Sequence, residues 1–259
     1  MKSLAHHMHG TVLVTGGSRR IGREICLRLS TEGFPIAIHY RNSQREADLL
    51  VEEIESNGGK ACALNCDLND IDSVKGLIQK ATESLGAVAG IVNNASYFAF
   101  DRIESLSEGG WLEHMRVNAF APLILIGELS KSSTEGSWVV NVLDFKVESP
   151  NADYLSYTSS RFAMYGLTSA LAIDLAPRIR VNSVAPGHVL TSDVLDEDSL
   201  KLIQSQSPLG FGPTANDVAE SVAFLATSPS ITGQTIFVDS GERFRQMSHD
   251  PAFNQENLK

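Results

Sequence analysis

Short apolar runs, each bounded by turn residues, alternate along the chain with longer segments whose apolar residues recur at spacings of three and four. The runs predict seven β-strands, at residues 11–16, 35–40, 60–67, 89–95, 137–144, 179–186 and 234–239. The segments between the runs predict amphipathic helices. Strands that are apolar almost throughout, each followed by a helix, are typical of a parallel sheet with helices on both faces. The pattern therefore predicts an α/β protein with a doubly wound, seven-stranded parallel sheet.

The same pattern predicts one domain with short appendages. Residues 11–241 carry all the predicted strands and helices, and residues 1–10 are predicted to be a flexible leader. The stretch 188–213 breaks the rhythm of strands and helices, which is typical of a mobile flap beside a site. Its acidic residues are Asp193, Asp196, Glu197 and Asp198. Residues 242–259 form a polar C-terminal tail that is predicted to be frayed.

Composition and charge exclude several classes of protein. The 259 residues are 42% hydrophobic and 20% charged, and no apolar stretch approaches the roughly 18 residues that a membrane span needs. The formal net charge of -10 repels phosphate backbones and anionic lipids, so nucleic acid and membranes are not expected partners. Three cysteines without a matching Cys/His pair, and no secretory signal, predict a cytoplasmic location and no metal site.

A glycine-rich turn joins the first predicted strand to a helix. Backbone N–H groups at such a helix N-terminus bind the pyrophosphate of a dinucleotide, as in a Rossmann fold. A plain turn is the alternative, but the position after the first strand favours phosphate binding. The predicted cofactor contacts in this turn are Gly16, Ser18, Arg19, Arg20, Ile21 and Gly22.

The end of the second predicted strand indicates which dinucleotide binds. It offers no Asp or Glu for a ribose 2′-hydroxyl, and supplies Tyr40, Arg41, Asn42 and Ser43 instead. A cation and a hydroxyl suit a 2′-phosphate, and Arg19 adds a second cation. The predicted cofactor is therefore NADPH, with a merely solvated Arg41 as the alternative.

A tyrosine and an arginine lie one helical turn apart. Tyr157 and Arg161 are separated by four positions, so they share one face of their helix. A phenol has an ordinary pKa near 10, and a neighbouring positive charge is expected to lower it toward the working range of a proton donor. Such a pair alone is usually surface packing, but here it follows a dinucleotide turn.

In order and spacing, these motifs resemble those of the short-chain dehydrogenase/reductase family over nearly all of residues 11–241. The resemblance implies that Asp67 and Leu68 contact the adenine of the cofactor. It places Asn94, Ala95 and Ser96 along the ribose and nicotinamide, and Pro186 and Gly187 at the carboxamide. It further implies Tyr157 as the catalytic acid and base, with Asn118 holding a catalytic water. A homotetramer built on the helices of residues 107–130 and 154–175 is also implied.

Two departures from the family pattern agree with each other. Asp144 stands thirteen residues before Tyr157, where the family has its catalytic serine, and Arg20 replaces the middle glycine of the first turn. Both features resemble the pteridine reductase branch, which includes dihydromonapterin reductases. That resemblance implies that Phe98 stacks on a pterin and that Asp144 works with Tyr157. The remaining implied substrate contacts are Arg20, Ser96, Tyr154 and Tyr157.

The chemistry of a carboxylate at position 144 favours the same substrate. A negative charge opposes the oxyanion that forms when a ketone accepts hydride, whereas it accepts hydrogen bonds from an aminopterin. Two alternatives remain open: Asp144 caps the turn after the fifth strand, and Phe98 covers the core.

A third departure is Arg161, where the family has lysine. Arginine keeps the positive charge but differs in geometry and is never neutral. The main hypothesis is an NADPH-dependent reductase of a dihydropterin or related pteridine, with Arg161 supplying the charge. The alternatives are a ketone reductase of the 3-oxoacyl carrier-protein type and a catalytically weak NADPH-binding sensor or scaffold.

Overall fold

The computed structural model describes residues 10–133, 135–192 and 195–251. The strands in these ranges are β1 (Thr11–Val14), β2 (Ile36–Tyr40), β3 (Ala61–Asn65), β4 (Val88–Asn93), β5 (Ser137–Val142), β6 (Ile179–Pro186) and β7 (Thr235–Val238). They form one parallel sheet in the order β3-β2-β1-β4-β5-β6-β7. The predicted single-domain, doubly wound Rossmann fold with a seven-stranded parallel sheet is confirmed.

Helices cover both faces of the sheet. They are α1 (Arg20–Thr31), α2 (Gln44–Ser56), α3 (Ile71–Lys75), α4 (Leu77–Leu85), α5 (Glu108–Met115), α6 (Ala121–Ser132), α7 (Leu155–Asp174), α8 (Glu197–Ser205) and α9 (Ala215–Thr227). A π-helical segment, Arg116–Phe120, joins α5 to α6. Among the described residues, every helix is too short or too polar to cross a membrane.

Strand β1 shows how one sheet serves two cores. Val12 and Val14 pack in a core with residues of α1, α2 and α9, whereas Leu13 packs in a second core with residues of α4 and α6. Successive side chains of a strand point to opposite faces, so an uninterrupted apolar run fits a strand that is buried on both sides. The two cores explain why the strands are apolar almost throughout.

The order of the strands reverses beside β1, and this positions the site. Strand β1 pairs with β2 on one side and with β4 on the other. The helices that follow β1 and β4 pack on opposite faces of the sheet. Such a reversal opens a crevice at the carboxyl ends of the strands, where α/β proteins bind their ligands.

The acidic stretch of the predicted flap starts a helix. Asp196 accepts a hydrogen bond from the backbone N–H of Ser199 at 2.8 Å and caps the N-terminus of α8. Glu197 and Asp198 lie in the first turn, where carboxylates interact favourably with the helix dipole. The sequence pattern was thus an N-terminal helix signal inside residues 188–213, while Asp193 lies outside the described residues.

The prediction of a frayed tail is wrong for residues 242–251. Glu242 is 1% exposed and Asp250 is 4% exposed. The backbone carbonyl of Ser248 accepts a hydrogen bond from Ala152 N at 3.0 Å. The segment is polar because its carboxylates pair with distant cations, and a local sequence pattern carries no sign of such pairing.

Exposed apolar side chains lie on the helices where the sequence predicts subunit contacts. The residues are Leu112, Phe120, Phe162 and Ile173, which are 41–81% exposed. They belong to α5, the π-helical segment and α7, the helices that the resemblance assigns to subunit contacts.

Candidate active site

A cleft of about 770 Å³ lies at the carboxyl ends of the strands. Every residue that the sequence predicts for cofactor or substrate binding lines this cleft. Among the predicted catalytic residues, Asp144, Tyr157 and Arg161 also line it, whereas Asn118 does not. Parallel strands bring these scattered segments to one edge of the sheet, since all the carboxyl ends point the same way.

The glycine-rich turn depends on the absence of side chains. A Cβ on Gly22 would lie 2.1 Å from the carbonyl oxygen of Gly16, so α1 can begin against the turn only with glycine at position 22. Gly16 has a φ of +60°, a conformation that glycine adopts without steric cost. The space kept open beside the helix N-terminus fits the close approach of a pyrophosphate.

Arg20 adopts an unusual backbone conformation in this turn. Its φ is +56°, which costs on the order of 1 kcal/mol for a residue with a side chain. A glycine, which the family has at this position, would relieve that strain. The replacement of glycine by Arg20 therefore places a side chain on a strained backbone. The Arg20 guanidinium donates to the carbonyl oxygen of Thr191 at 2.7 Å and links the turn to the segment after β6.

Two side chains from neighbouring strands hold the turn in place. The amide of Asn94 donates to the carbonyl oxygens of Thr15 at 2.9 Å and Gly16 at 3.1 Å. The hydroxyl of Thr15 accepts from the backbone N–H groups of Asn94 at 2.9 Å and Ala95 at 3.0 Å. Asn94 therefore lines the cleft as predicted, while its amide orients the glycine-rich turn.

His39 is a positioning residue that the sequence analysis did not select. Its Nδ1 accepts from the backbone N–H of Gly16 at 3.0 Å, so its Nε2 carries the proton and donates to the carbonyl oxygen of Cys66, also at 3.0 Å. Burial lowers the pKa of His39 to about 4, and the imidazole is neutral near pH 7. Its place within an apolar strand was the available signal.

The end of β2 presents one cation that has no ionic partner. In the part of the chain that the structure describes, Arg41 forms no ion pair, whereas Arg19 lies 3.6 Å from Glu46 of α2. The hydroxyl oxygens of Ser43 and Ser18 are 2.6 Å apart and join this end of the cleft to the glycine-rich turn. Of the two predicted cations, Arg41 is therefore the one whose charge is not already paired within the described residues.

Asp144 and Tyr157 meet directly in the cleft. The phenol of Tyr157 donates to Oδ2 of Asp144 at 3.0 Å. The other oxygen, Oδ1, accepts from the backbone N–H of Lys146 at 2.9 Å and caps a short 3₁₀ helix, Phe145–Val147. Capping and partnership with the tyrosine are therefore compatible, because each uses a different oxygen of the same carboxylate.

The guanidinium of Arg161 lies over the ring of Tyr157. Its Nη1 donates to the carbonyl oxygen of Val142 at 3.1 Å, and its Cζ lies 5.0 Å from the centroid of the Tyr157 ring. The Nε–H is buried and has no hydrogen-bond partner among the described residues. A buried donor without a partner costs free energy, so this atom fits a site completed by a ligand acceptor such as a ribose hydroxyl.

The predicted lowering of the tyrosine pKa is wrong for the protein alone. Burial is the largest influence and raises the pKa of Tyr157 above that of a free phenol, and Asp144 raises it further. Arg161 acts in the predicted direction and lowers it, but does not outweigh the burial. A sequence shows the neighbouring cation, whereas the desolvation of the phenol depends on tertiary packing.

An aromatic wall stands beside the tyrosine. The rings of Phe98 and Tyr154 are stacked with centroids 4.2 Å apart, and Phe98 meets the Tyr157 ring edge-on at 4.7 Å. Phe98 is 47% exposed and lines the cleft, so the alternative that it covers the core is wrong. An exposed ring face at this position can stack on a flat heterocycle.

Asn118 is the predicted catalytic residue that the structure places outside the cleft lining. Its Nδ2 donates to the carbonyl oxygen of Tyr97 at 2.9 Å and to Oγ of Ser160 at 3.0 Å. Its Oδ1 accepts from Tyr97 N at 2.7 Å. The side chain thus holds the loop that carries the aromatic wall, because both its N–H groups and its carbonyl oxygen bond to protein groups.

Three charged residues of the cleft were missed by the sequence analysis. They are Lys146, His188 and Asp250, and all three line the cleft. His188 directly follows the Pro186-Gly187 motif, which was a usable signal. Lys146 and Asp250 are 104 positions apart in the sequence, and no periodicity connects them.

Comparison with known proteins identifies the family. A family model described as enoyl-(acyl carrier protein) reductase matches residues 16–242. The 3-oxoacyl-[acyl-carrier-protein] reductase FabG of Staphylococcus aureus is 32% identical over 241 residues, which cover 90% of this chain and 98% of that protein. Together with the glycine-rich turn and the tyrosine site, these matches show that the chain belongs to the short-chain dehydrogenase/reductase family of oxidoreductases.

Two solved structures that this chain resembles contain NADP or NADPH. The chain is similar to FolM alternative dihydrofolate reductase 1 from Brucella canis complexed with NADP, with 36% identity, a TM-score of 0.88, and coverage of 93% of this chain and 96% of that one. It also resembles a blue fluorescent protein from a metagenomic library in complex with NADPH, with 31% identity, a TM-score of 0.82, and coverage of 92% and 99%. The predicted cofactor, NADPH, agrees with the ligands of these neighbours.

We expect the neutral state of His39 to make stability depend on pH. The folded pKa of about 4 lies below the ordinary 6.5, so the unfolded chain binds a proton first as the pH falls. The contribution is complete above pH 6.5 and is lost progressively down to about pH 4, with about 2 kcal/mol gone by pH 5. Urea unfolding at pH 7 and 5 should show a smaller loss for His39→Gln than for the wild type. Equal losses would contradict this role.

We expect Arg41 to set the preference for NADPH. A charge-assisted contact with a phosphate contributes roughly 1.5–3 kcal/mol, which is about tenfold or more in affinity. Titration of both cofactors should show tighter NADPH binding in the wild type, and Arg41→Ala should lose that advantage while keeping its NADH affinity. Arg45→Ala, on the outer surface of α2, is the matched control. Equal affinity of the wild type for both cofactors would contradict the assignment.

Proposed function

We propose that the protein is an NADPH-dependent reductase of a dihydropterin or related pteridine. The observation that carries the proposal is the hydrogen bond from the Tyr157 phenol to Oδ2 of Asp144, 3.0 Å long, in the cleft beside a half-exposed Phe98. The similarity to FolM alternative dihydrofolate reductase 1 supports the same class of substrate.

The negative charge of Asp144 bears on which kind of substrate the cleft can reduce. A carboxylate next to a reacting ketone opposes the negative charge that develops on oxygen during hydride transfer. The same carboxylate accepts hydrogen bonds from the amino and N–H groups of an aminopterin, and Phe98 offers a ring face for the flat heterocycle. A ring imine is therefore a better substrate for this cleft than a ketone.

Different residues of the cleft bind different parts of the cofactor. The glycine-rich turn holds the pyrophosphate, Arg41 the 2′-phosphate, and the unpartnered Nε–H of Arg161 a ribose hydroxyl. When bound, NADPH supplies the hydride. Asp67 and Leu68 contact the adenine, and Pro186 and Gly187 contact the carboxamide of the nicotinamide. The proposal is supported by the presence of all four residues in the lining of the cleft.

Tyr157 supplies the proton. Burial and Asp144 keep its pKa high, so the phenol is protonated at neutral pH and can act as an acid. Loss of the proton leaves a phenolate beside Arg161, whose guanidinium lies over the ring and stabilises the negative charge. Asp144 orients the phenol through the hydrogen bond, and Asn118 positions the neighbouring loop.

A ketone reductase of the 3-oxoacyl carrier-protein type is the second candidate. The 32% identity to FabG favours it, whereas the carboxylate of Asp144 opposes it. A nonenzymatic NADPH sensor is the third candidate, because Arg161 replaces the family's lysine. Steady-state NADPH oxidation with dihydropterins and with 3-ketoacyl thioesters distinguishes the three functions.

We expect Asp144→Ser to shift the protein from pteridines toward carbonyl compounds. The variant loses a charged acceptor, so kcat/KM for a dihydropterin should fall about tenfold to a hundredfold. Carbonyl reduction should rise, since the charge that opposes an oxyanion is gone. Asp70→Ser, at an exposed cap of α3, is the matched control. Unchanged pterin reduction in the Asp144 variant would remove the main support for a pteridine substrate.

We expect the wild type to turn over, with a rate that depends on the cation at position 161. Arg161→Lys should raise kcat because it restores the family's arrangement, and Arg161→Ala should nearly abolish activity. Tyr157→Phe should lower the rate on the order of 10²–10⁴-fold, with NADPH affinity changed only a few fold. Arg178→Lys, where the side chain contacts Ser130 at the surface, controls for the exchange of residue type.

A silent wild type that Arg161→Lys activates would favour the sensor over the enzyme. Single-turnover measurements with NADPH and a dihydropterin separate this outcome from slow product release.

A further inference from the structure

Four charged residues, three of them buried and one partly buried, cluster at the end of the cleft where Asp144 and the aromatic wall lie. The Lys146 ammonium lies 2.7 Å from Oδ2 of Asp250, with side-chain exposures of 3% and 6%. His188 lies between two carboxylates, with Nδ1 2.6 Å from Glu242 and Nε2 3.7 Å from Asp250. The described mechanism uses none of these four groups.

His188 is protonated near neutral pH, because carboxylates flank its ring. Burial opposes a charge on His188, but its bonds to Asp250 and Glu242 outweigh that effect and raise its pKa to about 10. Lys146 Nζ also lies 4.9 Å from the centroid of the Tyr154 ring. Two positive and two negative charges therefore neutralise each other.

Backbone hydrogen bonds anchor the segment that carries Asp250. Its N–H donates to Oδ2 of Asp153 at 2.7 Å, and the carbonyl of Ser248 accepts from Ala152 N at 3.0 Å. Asp153 is itself fully buried and pairs with Arg102. The C-terminal segment thus delivers one carboxylate to the cleft from a fixed position.

We propose that Lys146 and His188 form a pocket for a small carboxylate, which Asp250 occupies, and that Asp250 thereby makes this end of the cleft select neutral substrates over anionic ones. The pocket itself is independent of the reaction, whereas its effect on substrate choice rests on the proposed pteridine reductase function. Asp250 acts as a specificity-determining residue.

Electrostatics gives the reason for this selection. An anionic substituent entering the filled pocket meets Asp144 and Asp250, while the two cations already have partners. It must then remain unpaired in a partly desolvated site or displace Asp250, and both are costly. A hydroxyl group or other neutral substituent faces no such penalty and can still donate a hydrogen bond to a carboxylate.

Chemical rescue tests the pocket without any pteridine. Asp250→Ala leaves Lys146 without its partner and opens space for a carboxylate, so thermal unfolding should occur at a lower temperature than in the wild type. Sodium acetate should restore part of the lost stability, and acetamide at the same ionic strength should not. Lys146→Met/Asp250→Ala should lose the rescue, because the cation is absent. Rescue by acetate and acetamide alike, or rescue that persists in the double variant, would overturn the pocket.

A pair of ligands that differ in charge tests the selection. With NADPH present, the wild type should bind 6-hydroxymethylpterin about tenfold or more tightly than pterin-6-carboxylate, as measured by fluorescence quenching. Asp250→Asn keeps the shape of the side chain and should reduce that ratio at least tenfold or invert it. A wild type that binds both ligands equally, or a ratio unchanged by Asp250→Asn, would overturn the selection.

The rescue experiment and the ligand-binding experiment together distinguish failure of the proposed pocket from failure of the proposed function. If neither pterin binds the wild type, the pteridine function fails and the proposed selection among its substrates fails with it. Acetate rescue would still establish the carboxylate pocket in that case. If both pterins bind and acetate does not rescue, the pteridine function stands and the pocket is overturned.

Discussion

Parallel pairing of the strands is the constraint on which the site depends. All seven strands point the same way, so each one ends at the same edge of the sheet. The glycine-rich turn, the Arg41 segment, Asp144 and the Pro186-Gly187 motif follow four different strands, yet they line one cleft. These motifs lie as many as 171 positions apart in the sequence, and the parallel sheet alone brings them to one edge. Hydrogen bonds of His39, Thr15 and Asn94 then hold the glycine-rich turn in place at that edge.

The catalytic end of the cleft balances charge against burial. A phenol that is removed from water resists ionisation, and a carboxylate at hydrogen-bond distance adds to that resistance. The guanidinium of Arg161 works in the other direction and makes the loss of a proton less costly. These opposing effects on the pKa of Tyr157 suit a phenol that stays protonated until hydride transfer makes the substrate basic enough to take its proton. It also explains why a large, permanently charged arginine is compatible with the position: one end binds the Val142 carbonyl, which leaves Nε–H for a ligand.

The C-terminal segment adds a second group of paired charges at the same end of the cleft. Its carboxylates pair with Lys146 and with the partly buried His188, so each of the four groups has a partner of opposite sign. Pairing of this kind offsets part of the cost of removing charges from water. The segment consequently belongs to the wall of the cleft, although its sequence is as polar as that of a solvated tail.

The sequence by itself determined the sheet, the order of its motifs and more than half of the residues that line the cleft. Apolar periodicity specifies strands buried on both faces, and glycine at position 22 is required by a local contact, so both are visible in a few neighbouring residues. Asp144 was placed beside Tyr157 by family spacing, and the structure joins them by a hydrogen bond. Tertiary structure alone decided the net direction of the Tyr157 pKa, the inward-facing role of Asn118 and the burial of Asp250. These depend on desolvation and on partners as many as 104 positions away, and neither quantity is encoded in local sequence pattern.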